Sequence, residues 1–147
     1  MSLYSLLQFV HLLGVAVFLF AHGLAAASSF LLRRPAPQSA RQVLDLSRRS
    51  SMVANPALLV VIATGIWMGF AGAWWGHGWI WASIVLLALV IAAMVFVARP
   101  YYEARDSARE SDEVLLERLT RTRPLLAAWI GSAGVVILIY LMVIKPF

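Results

Sequence analysis

Cysteine is absent from all 147 residues. That excludes disulfides, thiolate metal sites, iron–sulfur clusters and cysteine nucleophiles, and it leaves the redox compartment open. Charge is scarce as well. Only 13% of residues are Asp, Glu, Lys or Arg, where a soluble domain carries ~25%. None of the seven acidic residues lies in a long apolar stretch. No acid–base pair, hydrolase triad or glycine-rich nucleotide loop is evident, so the chain is poorly equipped for hydrolysis or phosphoryl transfer. Repeats and low-complexity tracts are also missing.

What is present is apolar. The hydrophobic share is 62% and the mean hydropathy +0.83, more apolar surface than a water-facing fold of this length can hide. A soluble globular domain and a disordered chain are both excluded. The expected class is all-α, a polytopic membrane protein with a single domain over residues 1–147. A spanning helix needs about 20 mostly apolar residues. Four stretches qualify, at about 3–32, 52–70, 79–97 and 125–144. The first is long enough, at ~45 Å, to tilt or project from the bilayer. It does not read as a signal peptide, because Met1 to Gln8 lacks a basic n-region.

The arginines set the expected orientation. Loop 33–51 holds Arg33, Arg34, Arg41, Arg48 and Arg49. Loop 98–124 holds Arg99, Arg105, Arg109, Arg118, Arg121 and Arg123, and only Lys145 lies elsewhere. With four spans both loops share one side, which the positive-inside rule makes cytoplasmic. The net charge of +5 is then a topology signal, and nucleic acid is not an expected partner. An antiparallel four-helix bundle follows, termini outside and helices extended into the cytoplasm, in a bacterial cytoplasmic (inner) membrane; the cytoplasmic segments read as partly helical. Trp74, Trp75, Trp79 and Trp81 mark the outer interface, Tyr101 and Tyr102 the inner one. Ser111 is an expected N-cap before Asp112, Glu113 and the run Val114, Leu115, Leu116, Leu119. Residues 99–124 read as a solvated helical hairpin below the membrane, and the net-basic 33–51 stretch as a segment against anionic headgroups. Pro56, Pro100 and Pro124 are expected near helix ends or kinks.

Small residues are expected at helix contacts in lipid. Gly65, Gly69 and Gly72 form one stripe, Ala127, Gly131 and Gly134 another. Bundle packing accounts for both, with homo-oligomeric contact as the alternative.

Ionisable groups inside the bilayer are costly and mark function. Two histidines qualify, His11 and His22. Eleven residues apart, they stand ~20° apart around a helix and ~16 Å apart along it. Gln8, Gly14, Val15, Phe18, Ala25, Ala26 and Ser29 share their stripe. Leu13, Val17, Phe20, Leu24 and Leu31 form the opposite one, so the histidine side is expected to face the bundle. Imidazole is an axial haem ligand, and the pattern suits haem b held by His11 as first choice and His22 as second. Met94 is the nearest methionine by depth, a possible partner for His22. The same two histidines are the candidates for a metal such as copper or zinc. Equally weighted is a packing role with ordinary hydrogen bonds. His77, in the outer turn, reads as an interfacial residue. Asn55, directly before Pro56, could satisfy backbone freed at a kink. Trp129 lies at inner-half depth, and its indole N–H needs a partner, either His22 or a ligand carbonyl, unless it simply packs.

The segments LLQFVHLLGVAVFLFAHGLAAASSFLLRR, LDLSRRSS and TGIWMGFAGAWWGHGWIWASI, with the Tyr101–Tyr102 pair, together resemble an uncharacterised bacterial family of predicted integral membrane proteins. The resemblance implies four helices and no particular activity. The start FVHLLGVAVF is more distantly similar to HemJ-type protoporphyrinogen oxidases and CopD-type copper-transport proteins. The HemJ likeness would make His11 a haem-associated histidine. That family also uses a lysine in a later helix, and here the only lysine is Lys145. The leading expectation is a haem b-binding protein of membrane redox chemistry or haem handling. The alternatives are a non-catalytic accessory or scaffold subunit of a membrane complex, and a small dimeric transporter of a hydrophobic or metal substrate. Enzymatic and non-enzymatic roles both stay open.

Overall fold

The structure, a computed structural model, describes residues 2–33, 36–106 and 111–147. Five α-helices follow one another: α1 (Leu3–Phe30), α2 (Pro37–Ala71), α3 (Gly78–Asp106), α4 (Asp112–Thr120) and α5 (Pro124–Ile144). Single 3-10 turns at Leu31–Arg33 and Trp74–Gly76 lie between α1 and α2 and between α2 and α3, and no strand occurs among the described residues. Helices α1, α2, α3 and α5 are each long and apolar enough to cross a membrane. The chain is thus a multi-pass integral membrane protein that sits in a lipid bilayer. Helices suit that solvent because each satisfies its own backbone hydrogen bonds.

The helix starts follow local chemistry. Pro37 and Pro124 open α2 and α5, where the missing N–H costs no internal bond. Ser111 caps α4 as expected, its hydroxyl accepting from the Val114 N–H at 3.5 Å, and Asp112 and Glu113 occupy the first turn, where the helix dipole favours them. Pro56 and Pro100 lie inside α2 and α3 rather than at their ends, as membrane helices tolerate. Between α2 and α3 the chain reverses through Ala73, at φ 53°.

The helical extensions expected at the arginine-rich end are present, and they are packed rather than merely solvated. Helix α2 begins at Pro37, ahead of the apolar run that starts near Met52, so the 33–51 stretch is mostly helix. Ala40, Leu44, Ser47, Ser50, Ala54 and Ala57 are all buried. Their helical spacing makes one continuous face, which the arginines on the other faces disguise. Nor is 99–124 a merely solvated hairpin. Leu115 and Leu119 of α4 join Leu32, Ala40, Leu44 and Ala104 in an apolar cluster, flanked by Val43 and Tyr101. Arg41 and Asp112 form an ion pair between α2 and α4. At 35 residues, or ~52 Å, α2 is longer than the ~30 Å hydrocarbon layer, so its arginine-bearing start stands beyond the apolar core and meets α4 there.

Within the spans, α1 packs mainly on α2, and α3 on α5. Gly14 of α1 approaches α2 so closely that a Cβ there would lie 3.0 Å from Val61 Cγ2. In the same way a Cβ on Gly134 of α5 would sit 2.5 Å from Val90 Cγ2 on α3. Leu13, Val17, Phe20, Leu24 and Leu31 are exposed, the lipid-facing stripe that the sequence pattern assigns to α1.

Candidate functional site

The two histidines of α1 lie in different surroundings. His11 Nδ1 is 3.0 Å from the Thr64 hydroxyl of α2. That hydroxyl donates its own proton to the Val60 carbonyl at 2.6 Å. It therefore accepts from His11, which assigns the proton to Nδ1. Gly65 makes room for the ring, since a Cβ there would be 3.3 Å from His11 Cε1. His11 is a satisfied residue of the α1–α2 contact.

His22 has no hydrogen-bond partner among the described residues. Its ring stacks on Phe18, with centroids 5.3 Å apart and planes 17° apart. Its Nε2 is directed at α5: a Cβ on Gly131 would lie 2.7 Å from it and 3.9 Å from Met94 Sδ. Three helices thus bring an imidazole nitrogen, a thioether sulfur and a bare glycine to one point.

That point opens on a cavity of about 120 Å³ lined by Phe18, His22, Met94 and Ala128 and, toward the arginine-rich end, by polar Ser47, Ser51, Tyr101, Tyr102 and Arg123. The Tyr101 hydroxyl is buried near Ser47 without a hydrogen bond of good geometry. Arg123, the residue before α5, is exposed and forms no ion pair among the described residues. The tyrosines read in the sequence only as interface markers, and Arg123 only as topology charge. Nothing in their spacing relates them to His22. Gly131 was legible as a small residue, but its closeness to an imidazole was not.

The remaining candidates fall elsewhere or change role. His77 stays in the turn, its Nδ1 3.3 Å from the Trp74 carbonyl oxygen. Asn55 lines the cavity and makes no side-chain hydrogen bond among the described residues, so its expected bond to backbone freed beside Pro56 is not formed. Trp129 is 73% exposed and does not partner His22. Two residues before Gly131, it stands ~200° around the helix from it, so the glycine that faces inward turns the indole toward lipid. Among the described residues no three His, Asp or Glu side chains gather in a way that could hold a metal ion.

A family model described as "Predicted integral membrane protein (DUF2269)" matches residues 5–146. No curated protein and no solved structure matches the chain. The family match bears out the resemblance to predicted integral membrane proteins, and the likeness to HemJ-type and CopD-type proteins is not shown by it.

Proposed function

The chain belongs to the DUF2269 family of predicted integral membrane proteins, and from that premise we propose that it binds haem b in the cavity at the arginine-rich end, for membrane redox chemistry or haem handling. His22 would hold the group through its imidazole nitrogen, and Met94 could offer its thioether sulfur beside it. The observation that carries this reading is the unpartnered imidazole of His22. A half-buried ring nitrogen without a hydrogen bond is costly, and this one is directed at a glycine and a thioether. Imidazole and thioether are both haem-iron ligands, and the bare backbone at Gly131 lets the His22 ring come up to α5 beside Met94. His11, held by Thr64, is the second choice, the reverse of the order expected from the sequence.

Size sets a condition on the reading. Small-molecule sites run to ~300–1,000 Å³, well above the 120 Å³ here. Haem would therefore need more room than the cavity offers between these helices. Bound haem would supply one-electron exchange. The protein's part is to orient the ring and exclude water.

In the membrane the four spans form an antiparallel bundle with both termini outside and the arginine-rich end in the cytoplasm of a bacterial cell. Contact pairs support the alternation: His11 with Thr64 and Gly14 with Val61 across α1 and α2, Gly131 with Met94 and Gly134 with Val90 across α5 and α3.

The test is a visible spectrum of the detergent-purified protein after haem supply. A Soret band is expected, lost in His22→Ala, kept in His11→Ala, and shifted in Met94→Leu. A colourless wild type, or a band indifferent to His22→Ala, refutes the reading.

A further inference from the structure

We propose that the arginine-rich end of this cavity is an anion-recognition site, so that its ligand is an amphipathic anion held with a carboxylate or phosphate on Arg123 and the Tyr101 hydroxyl and its apolar body against Phe18 and Met94. The proposal rests on the same cavity as the haem reading. Haem, with two propionates, is one such anion, and an anionic lipid is another.

Three observations converge. The cavity lining is of two kinds: apolar Phe18, Met94, Ala127 and Ala128, and polar Ser47, Tyr101 and Arg123, which come from the arginine-rich ends of α2, α3 and α5. That is the arrangement for a ligand with one apolar and one polar end. The polar groups there are not used up within the chain. The Tyr101 hydroxyl is buried near Ser47 without a hydrogen bond of good geometry, an arrangement in which a ligand or water that accepts its proton would lower the free energy. The Arg123 guanidinium makes no ion pair among the described residues, although three of its neighbouring arginines do: Arg99 with Glu103, Arg121 with Glu117 and Arg105 with Asp106. Finally, the field at that end has one sign. No Asp or Glu lines the cavity. The first turn of α5 does line it and has no side-chain cap, so the partial positive charge of a helix N-terminus adds to that of Arg123. Guanidinium and phenol together are a hydrogen-bonding pair for an oxyanion.

The experiment compares haem b with haem dimethyl ester, which has the same ring and iron but no propionate charge, by titration against the full chain in phosphatidylcholine nanodiscs. Wild type is expected to bind haem at least about ten-fold more tightly than the diester. Arg123→Gln should remove most of that preference, Tyr101→Phe part of it, and Arg123→Lys should retain it. The Soret band's dependence on His22 should be unchanged in all three. Arg123 is exposed, so its substitution does not threaten the fold. Equal binding of haem and diester by wild type, or a preference undiminished in Arg123→Gln, overturns the anion site while leaving haem ligation intact. If neither porphyrin binds, the haem reading falls, and lipid retention decides the anion site. Native mass spectrometry should then show phosphatidylglycerol held over phosphatidylcholine by wild type and not by Arg123→Gln. Equal retention of the two lipids overturns the proposal.

Discussion

His22 of α1 and Gly131 of α5 meet so closely that one added methyl on the glycine would lie 2.7 Å from the imidazole Nε2. The contact is a side-chain tip over bare backbone. A small displacement of the ring relieves it, whereas a displacement of α5 is not required. Gly131→Ala is therefore expected to move His22 more than it destabilises the bundle. In the haem-loaded protein the Soret maximum should shift while the thermal midpoint in detergent falls only slightly.

Gly134 is the contrasting case. Its added Cβ would meet Val90 at Cγ2, Cγ1 and Cβ, at 2.5, 3.1 and 3.4 Å. A β-branched side chain on a helix is nearly fixed in χ1, so Val90 cannot swing aside and the α3–α5 pair must separate. Gly134→Ala should cost about 1–3 kcal/mol, the range for overpacking a core. Gly23→Ala, with nothing within 4 Å of the added carbon, should be neutral or slightly stabilising through helix propensity. Chemical unfolding in mixed micelles measures both. Equal losses at the two positions would contradict the packing described for α3 and α5.

The His11–Thr64 hydrogen bond lends itself to a double-mutant cycle with His11→Ala and Thr64→Val. Interhelical hydrogen bonds in membrane proteins average ~0.6 kcal/mol and reach ~1.7. A coupling energy in that range is expected, and a value of zero would remove the contact as a determinant of α1–α2 packing. The partner variant isolates the bond from the loss of ring volume, because Thr64→Val keeps the shape of the side chain.

Leu115 is completely buried in the cluster outside the spans, beside Leu44 and Ala104. Leu115→Ala should cost ~2–5 kcal/mol, and the loss should be local. Hydrogen exchange is expected to rise through Asp112–Thr120 while the spanning segments remain protected. Asp112→Asn removes only a partly exposed ion pair with Arg41, worth ~0–1 kcal/mol, and should leave the exchange pattern of α4 nearly unchanged.

Trp129 is expected to contribute little to the protein in isolation. Its side chain is outward and makes no contact with His22. Trp129→Leu should alter stability by no more than ~0.5 kcal/mol and leave the haem spectrum in place. Loss of the Soret band in this variant would put the indole in the site after all.

Part of this molecule follows from composition and order alone. A bilayer demands about 20 apolar residues per crossing and self-satisfied backbone, so four long apolar runs, with arginine-rich segments after the first and the third, read as four spanning helices. The bulky face of α1 was equally legible, because Leu13, Val17, Phe20 and Leu24 recur at helical spacing and have no role but to meet lipid. The start of α2 was not: the arginines around Ala40 and Leu44 hide a buried stripe that shows only once α4 is placed against it. Nor could the sequence separate the two histidines. They share one stripe of one helix, and periodicity treats them alike. Their difference lies in other helices. The α1–α2 register sets Thr64 beside His11 and satisfies it, and the meeting of α3 with α5 sets Met94 and Gly131 beside His22 and leaves it unpaired. Contacts between residues more than fifty positions apart carry no periodic signal, so only the tertiary structure could decide which histidine is free.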